Sequence, residues 1–158
     1  MSEKFLITKE GYNKLKAELE NLKNVQRPNI IQAVATAREL GDLKENAEYH
    51  ASRDKQSMIE ATIANLEDKL VRSEVVDIKA LSGDIVRFGA TVKLENTDNG
   101  KIVIYKIVSE YEADIDNGLI SNTSPVSKAL MGKVVGDNVE IIIPGGVVDY
   151  EILEIIFK

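Results

Sequence analysis

The 158-residue chain contains no cysteine, no tryptophan and a single histidine, His50. Without cysteine it can form no disulfide, thiolate zinc site, iron–sulfur cluster or cysteine nucleophile. A reducing compartment fits that composition. One histidine excludes a His-rich metal site and leaves only His50 for any Ser-His-Asp arrangement. Aromatic residues make up 5% of the chain, too few for a platform on which bases stack. No apolar run approaches the ~20 residues of a membrane span. The opening MSEKFLITKEG also lacks the apolar core of a signal peptide. The expectation is a cytoplasmic protein with no membrane partner.

Positive charge is also scarce. Lys and Arg number 20 against 26 Asp and Glu, a net charge of −6, which argues against a broad basic surface that holds nucleic acid. The deficit is uneven. Residues 1–76 carry 12 basic and 13 acidic residues, whereas the remainder carries 8 and 13. Any contact with nucleic acid therefore falls to the N-terminal half. Hydrophobic residues at 44% and charged residues at 29% suit a folded chain of one large or two small domains.

The N-terminal half has a helical period. Thr8 is a plausible N-cap, after which Tyr12, Leu15, Leu19 and Leu22 recur at steps of three and four. Gln26 continues the phase, Pro28 interrupts it, and Ile30, Val34 and Ala37 resume one residue late. This stutter with a proline predicts a kink or short break near Arg27–Pro28, with Pro28 in the first turn of a restarted helix. Tyr49, Ser52, Gln56, Ile59, Ile63, Leu66 and Leu70 mark a second, cleaner stripe. Between the stripes, Gly41 suits a helix stop and Asp42 a helix start. The reading is an antiparallel coiled-coil hairpin over residues 1–75, its tip near 41–46. A second helix of roughly 30 residues would reach ~45 Å. The seam weakens toward the tip, where Ser52, Gln56 and small alanines replace Leu and Ile. Little apolar area remains there to hold other structure against it, so the tip is expected to project as a thin probe.

From residue 76 the period is two. Val75–Ile78, Ile85–Phe88, Thr91–Leu94, Ile102–Val108, Val139–Ile143 and Val147–Phe157 read as strands. Asp98-Asn99-Gly100 and Pro144-Gly145-Gly146 read as turns between them. One short helix interrupts, with Ser124 as N-cap, Pro125 at its first position and Gly132 as its stop. Residues 76–158 thus form a small antiparallel sheet domain with one helix, and the whole chain is α+β.

The segment with possible chemistry is Gly41–His50. Asp42 and Glu45, three residues apart at the end of a rod, could share a Mg²⁺-type cation through oxygen ligands. The same Asp-x-x-Glu spacing also matches a capping box, and a capping Asp can keep one oxygen free. Two carboxylates hold Mg²⁺ weakly, so the protein alone should be a poor hydrolase. His50, with no visible partner, reads as a solvated residue. Arg38, Lys44, Arg53 and Lys55 surround the acids, either as a solvated mixed-charge face or as a patch for a few phosphates. Ser121–Pro125 reads as a cap and turn, or as an exposed docking loop.

Gly41-Asp42-Leu43-Lys44-Glu45-Asn46-Ala47-Glu48-Tyr49-His50 resembles the tip motif of the bacterial Gre family of transcript cleavage factors, closest to its GreA type. The likeness runs the length of the chain. It includes Leu6-Ile7-Thr8-x-x-Gly11, Arg27-Pro28, Phe88-Gly89-Ala90-Thr91-Val92, Leu119-Ile120-Ser121 with Ser124-Pro125, Leu130-x-Gly132-Lys133, and Pro144-Gly145-Gly146. The resemblance implies an FKBP-like C-terminal domain that docks at the rim of the secondary channel of bacterial RNA polymerase, while the coiled coil enters that channel. It implies that Asp42 and Glu45 help place a Mg²⁺ and its water at the polymerase active site, where the backtracked RNA 3′ segment is cleaved. The chain would then be a cofactor of the polymerase's own nuclease, with no tightly bound cofactor of its own, and a monomer. Family basic positions match Arg38 and Arg53, which would guide the RNA, and Ser121, Ser124 and Pro125 fall in the docking loop. The near-neutral N-terminal half lacks the wide basic patch of the GreB type, which favours short cleaved segments.

Three competing readings have discriminating features. A non-cleaving regulator of the same channel would have altered tip acids, and both are intact here. A stand-alone prolyl isomerase would need an aromatic-lined pocket, against three Phe and five Tyr in the whole chain. A coiled-coil dimerisation module is disfavoured by the glycine-and-acid turn between complementary stripes.

Overall fold

In the computed structural model, which describes residues 3–158, the chain divides into two compact units. Tyr12–Ser73 forms the body of the first, and Lys4–Gly11 joins Glu74–Lys158 in the second.

The first unit is built from helix α1 (Lys9–Asn21), whose first turn lies in the second unit, with α2 (Arg27–Arg38) and α3 (Ala47–Arg72). The expected apolar rows are buried: Leu15, Leu19, Leu22, Ile30, Val34 and Ala37 from the first stripe, and Ile59, Ile63 and Leu66 from α3. The expected break near Arg27–Pro28 does not occur. A π-helical turn, Leu22–Gln26, joins α1 to α2 with Gln26 and Arg27 both right-handed helical, and the Arg27 N–H reaches back to the Leu22 carbonyl. A π turn absorbs one extra residue, so it corrects the one-residue lag and keeps both stripes facing α3. Pro28 directly follows the π turn, in the first turn of α2, and because the helix runs on through it the chain forgoes there the one backbone bond that proline cannot donate. Two exposed ion pairs cross from this region to α3: Lys23–Glu67 at 2.9 Å and Arg27–Glu60 at 2.8 Å. The second is two-pronged, through Arg27 Nε and Nη2. At 26 residues, α3 extends about 39 Å.

The second unit contains a two-stranded sheet of β1 (Phe5–Thr8) and β2 (Ser73–Val76), and a five-stranded sheet. The latter comprises β3 (Thr91–Asn96), β4 (Ile102–Val108), β5 (Leu119–Ser121), β6 (Asn138–Ile143) and β7 (Gly146–Ile156), in the order β5-β4-β3-β7-β6. Four of these match expected strands. The sheet is mixed rather than purely antiparallel, because β5 runs parallel to β4. At three residues β5 is too short to show a period. Ile85–Phe88 alternates as a strand should, yet only Ile85 bridges, to Val134. Val86 and Phe88 enter the core without a ladder. Likewise β2 stops at Val76, and Asp77 caps a single 3₁₀ turn over Ile78–Ala80. The Asp98–Gly100 and Pro144–Gly146 turns form where expected, the first closed by Asn96 Oδ1 on the Asp98 and Asn99 N–H groups. Helix α4 (Pro125–Leu130) starts as read, with the Ser127 N–H donating to Ser124 Oγ. Val92, Leu94, Ile107, Ile120, Leu130, Val139, Ile141 and Ile152 form the core of this unit.

Thr8 also caps as expected, its Oγ1 accepting the Gly11 N–H at 3.0 Å. Its hydroxyl then donates to the Glu112 carboxylate, which also accepts from Ser109 N (3.2 Å) and Ser109 Oγ (2.7 Å). The first turn of α1 is thereby clamped to the turn after β4.

Candidate functional site

Helix α2 ends at Arg38, where the Glu39 N–H bonds the Thr36 carbonyl (3.2 Å) and the Leu40 N–H bonds the Ala37 carbonyl (3.1 Å). Gly41 then turns the chain at a φ of 137°, a backbone region that side-chain-bearing residues rarely enter. The expected capping box at Asp42 is absent. Helix α3 starts at Ala47, and its cap is Asn46, whose Oδ1 accepts the Tyr49 N–H at 2.9 Å. The Asn46 Nδ2 donates across the loop to the Ala37 carbonyl at 2.5 Å. One amide therefore serves the last turn of α2 and the first turn of α3.

The acids are consequently left on the loop. Asp42 Oδ1 accepts the Lys44 N–H at 3.0 Å, an Asx turn that leaves the other oxygen uncommitted. Glu45 is exposed and makes no hydrogen bond or ion pair among the described residues. Leu40, Asp42, Glu45, Asn46, Ala47 and Glu48 line an open hollow of about 410 Å³ at this end of the hairpin. His50, read as merely solvated, is exposed but placed: its Nε2 lies 3.3 Å from the Lys44 carbonyl. A carbonyl only accepts, so that bond needs the proton on Nε2.

The basic candidates share a strip. The Arg38 guanidinium lies 5.7 Å from the centre of the Tyr49 ring, and Tyr49 meets His50 edge to face at 5.6 Å. Arg53, four residues beyond Tyr49, falls on the same face of α3 and is exposed. In the second unit, Ser121 Oγ pairs with Thr123 Oγ1 at 2.8 Å, Ser124 caps α4, and Pro125 is exposed at the first turn. The serine hydroxyls are thus engaged locally, and Pro125 is the outward group of the three.

Asp42 and Glu45 fit the oxygen-donor chemistry of a Mg²⁺-type cation, but as an incomplete set. Among the described residues no group of three or more His, Cys, Asp or Glu is arranged to hold a metal ion. Sequence reasoning missed Asn46. Its signal was present, since Asn is as good a cap as Asp and Glu48 supplies an acid in the first turn.

Residues 5–75 match the family model described as "Transcription elongation factor, N-terminal", and residues 81–157 match "Transcription elongation factor, GreA/GreB, C-term". The chain belongs to the GreA/GreB family of transcription elongation factors. Transcription elongation factor GreA of Beijerinckia indica is 52% identical over 156 residues, covering 99% of each chain. GreA of Rickettsia typhi is 51% identical over 158 residues, covering 100% of this chain and 98% of its own. Among solved structures, GreA factor homolog 1 of Thermus thermophilus matches over 97% of this chain and 99% of its own, with 29% identity and a TM-score of 0.46. As a GreA/GreB-family elongation factor the chain acts in transcription, and among its described residues no helix is long and apolar enough to cross a membrane.

Proposed function

We propose that this elongation factor binds backtracked bacterial RNA polymerase, carries its helical tip into the secondary channel and stimulates the polymerase's own cleavage of the RNA 3′ segment. One observation carries the reading: Asn46 takes the cap of α3, so Asp42 and Glu45 stay on an exposed loop with carboxylate oxygens to spare. Acids serving as a cap would be consumed by the fold; these are displayed. Their donor set is incomplete, which suits a site whose remaining ligands come from a partner.

A Mg²⁺ bound jointly with the polymerase would activate a water and stabilise the charge developing on the scissile phosphate. The chain's own part is to bring two oxygen donors to that place. Neither acid is a nucleophile or base in the isolated protein, so the chain is a cofactor rather than a nuclease. Arg38 and Arg53, on the strip beside the tip, contact phosphates of the extruded RNA. Ser121, Ser124 and Pro125 belong to the loop that docks at the channel rim. The factor acts as a monomer in the cytoplasm.

The test is RNA cleavage in stalled, backtracked elongation complexes with Mg²⁺, comparing wild type with Asp42→Asn and omitting polymerase as a control. Shortened, re-extendable transcripts with wild type alone, and none without polymerase, are expected. Asp42→Asn should retain binding, because the Asx acceptor survives as an amide oxygen and the helix cap lies elsewhere. Absence of stimulation by folded wild type would refute the reading and favour a channel-blocking regulator.

A further inference from the structure

We infer that Asn46 is the positioning residue of the tip, whose single amide fixes the loop that displays Asp42 and Glu45 before any partner is met. The inference rests on the cofactor reading above and goes a step further, from which residues act to what holds them ready.

Residues 39–45 connect two helices, and every one of them is exposed. Such a loop has little burial to hold it and loses conformational entropy when ordered. Two side chains tie it across its ends. Asn46 donates to the Ala37 carbonyl at the end of α2 and accepts the Tyr49 N–H at the start of α3. His50 holds the Lys44 carbonyl, and Lys44 in turn donates its N–H to Asp42. Among the described residues His50 is the one side chain outside 39–45 that bonds within it, and Asn46 is the one that spans its two ends.

The bond to Ala37 has a firm footing. Ala37 is buried at 3% exposure, in the last turn of α2, so its carbonyl is fixed by the hairpin core. Asn46 thus refers the start of α3, and the loop behind it, to a rigid point. An amide is required for this double duty. Serine or aspartate caps a helix as well as asparagine does. Aspartate, however, has no donor for Ala37, and serine has a single oxygen, one bond shorter than the amide, that has to sit at the Tyr49 N–H and so cannot also take the place of the amide nitrogen against Ala37. A capping role alone would accept any of the three; a positioning role needs asparagine.

The deciding variants are Asn46→Ser and Asn46→Asp, both retaining a cap. The first readout needs no polymerase: amide hydrogen exchange of Leu40 and Lys44 in the free, full-length protein. Both variants should exchange at least tenfold faster there than wild type, with Ile59, Ile63 and Leu66 unchanged. The second readout is stimulated cleavage against factor concentration. The half-saturating concentration should stay within twofold while the maximal rate falls at least tenfold. Asn46→Asp places an added carboxylate near the acids, so Asn46→Ser decides unless it loses helicity, in which case Asn46→Asp decides alone. Unchanged exchange overturns the inference, as does a maximal rate within twofold of wild type, or a loss of rate matched by a loss of occupancy. Faster exchange in the variants, combined with a wild type that never stimulates cleavage, would instead overturn the cofactor reading and leave the loop device standing.

Discussion

Gly11 should be intolerant of the smallest possible side chain, and one other residue should be the whole reason. Gly11 lies in the first turn of α1, with its N–H bonded to Thr8 Oγ1. A Cβ built there would fall on the Glu112 carboxyl group, with Glu112 Cγ only 2.6 Å away. A flexible carboxylate on a surface would swing aside at little cost. This one accepts hydrogen bonds from Thr8 N, Thr8 Oγ1, Ser109 N and Ser109 Oγ, so it cannot move without breaking several of them. Hydrogen bonds to a charged group are worth about 1.5–3 kcal/mol each and are not additive. Losing the equivalent of two gives a cost of about 3–5 kcal/mol. Against this stands the preference of a helix for Ala over Gly, about 0.5–1 kcal/mol. Gly11→Ala should therefore destabilise the second unit by about 2–4 kcal/mol.

The decisive comparison is the same substitution without its obstacle. Glu112→Ala alone should cost a similar amount, because the same bonds are lost. In the Glu112→Ala background, however, the three atoms nearest the new Cβ are gone, and Gly11→Ala should stabilise by about 0.5–1 kcal/mol. The sign reverses, and the coupling energy of the cycle, the difference between the two effects, should be about 2.5–5 kcal/mol, at or above the upper range for residues in direct contact. Amide exchange in a urea series, read over β3 and β4, isolates the second unit from the hairpin. An equal cost of Gly11→Ala in both backgrounds would refute the reasoning, since the collision would then lie elsewhere. A stabilising Gly11→Ala in wild type would refute it too, by showing that the carboxylate yields freely.

Two further outcomes follow from the first unit. Ile63, buried at 2% exposure in the seam of α3, should cost about 2–5 kcal/mol on truncation to Ala, read as a lower urea midpoint of helical circular dichroism with α3 still formed in the native baseline. The Arg27–Glu60 pair gives a pH signature. The Arg27 hydrogen bond holds the Glu60 carboxyl below the ordinary carboxylate value, and the same bond raises Arg27 above its own, beyond any working pH. Because the folded-state value of Glu60 is depressed, its contribution is complete above the unfolded value and disappears as pH falls through the folded one. Denaturant midpoints of wild type and Glu60→Gln should differ by a small constant amount above about pH 5 and converge below pH 4. A gap that widens on acidification would contradict the pairing.

What the sequence made legible, and what it hid, follows from the range over which each signal is satisfied. The apolar stripes of the hairpin were readable because burial along a helix repeats over many turns, and a one-residue lag at Gln26 was visible as a lag. Its resolution was not. Proline suggested a break, whereas the Arg27 N–H reaching five residues back to Leu22 restores the phase with no interruption, an economy that only the packed partner helix selects. Asp98-Asn99-Gly100, Pro144-Gly145-Gly146 and Ser124-Pro125 were legible for the opposite reason: each closes on itself within a few residues. The short strands β1 and β5 lack length enough for a period, and Val86 and Phe88 alternate because they are buried, the backbone pairing of this segment being confined to Ile85 with Val134 and Val86 with Gly132 and Lys133.

The tip brings both situations into one segment. Asp42 and Asn46 each have the chemistry of a cap, and the local spacing to Glu45 favours Asp42. The choice is made by a bond that local spacing does not contain, from Asn46 to the Ala37 carbonyl nine residues back across the turn. With that bond the helix starts at Ala47 and the two acids are released from structural duty; without it, Asp42 could cap and Glu45 could reach back to it. The identity of a carboxylate as fold or as function thus depends here on a neutral amide that carries no charge and performs no chemistry. Removing that amide's donor while keeping its acceptor is the one perturbation that separates the two.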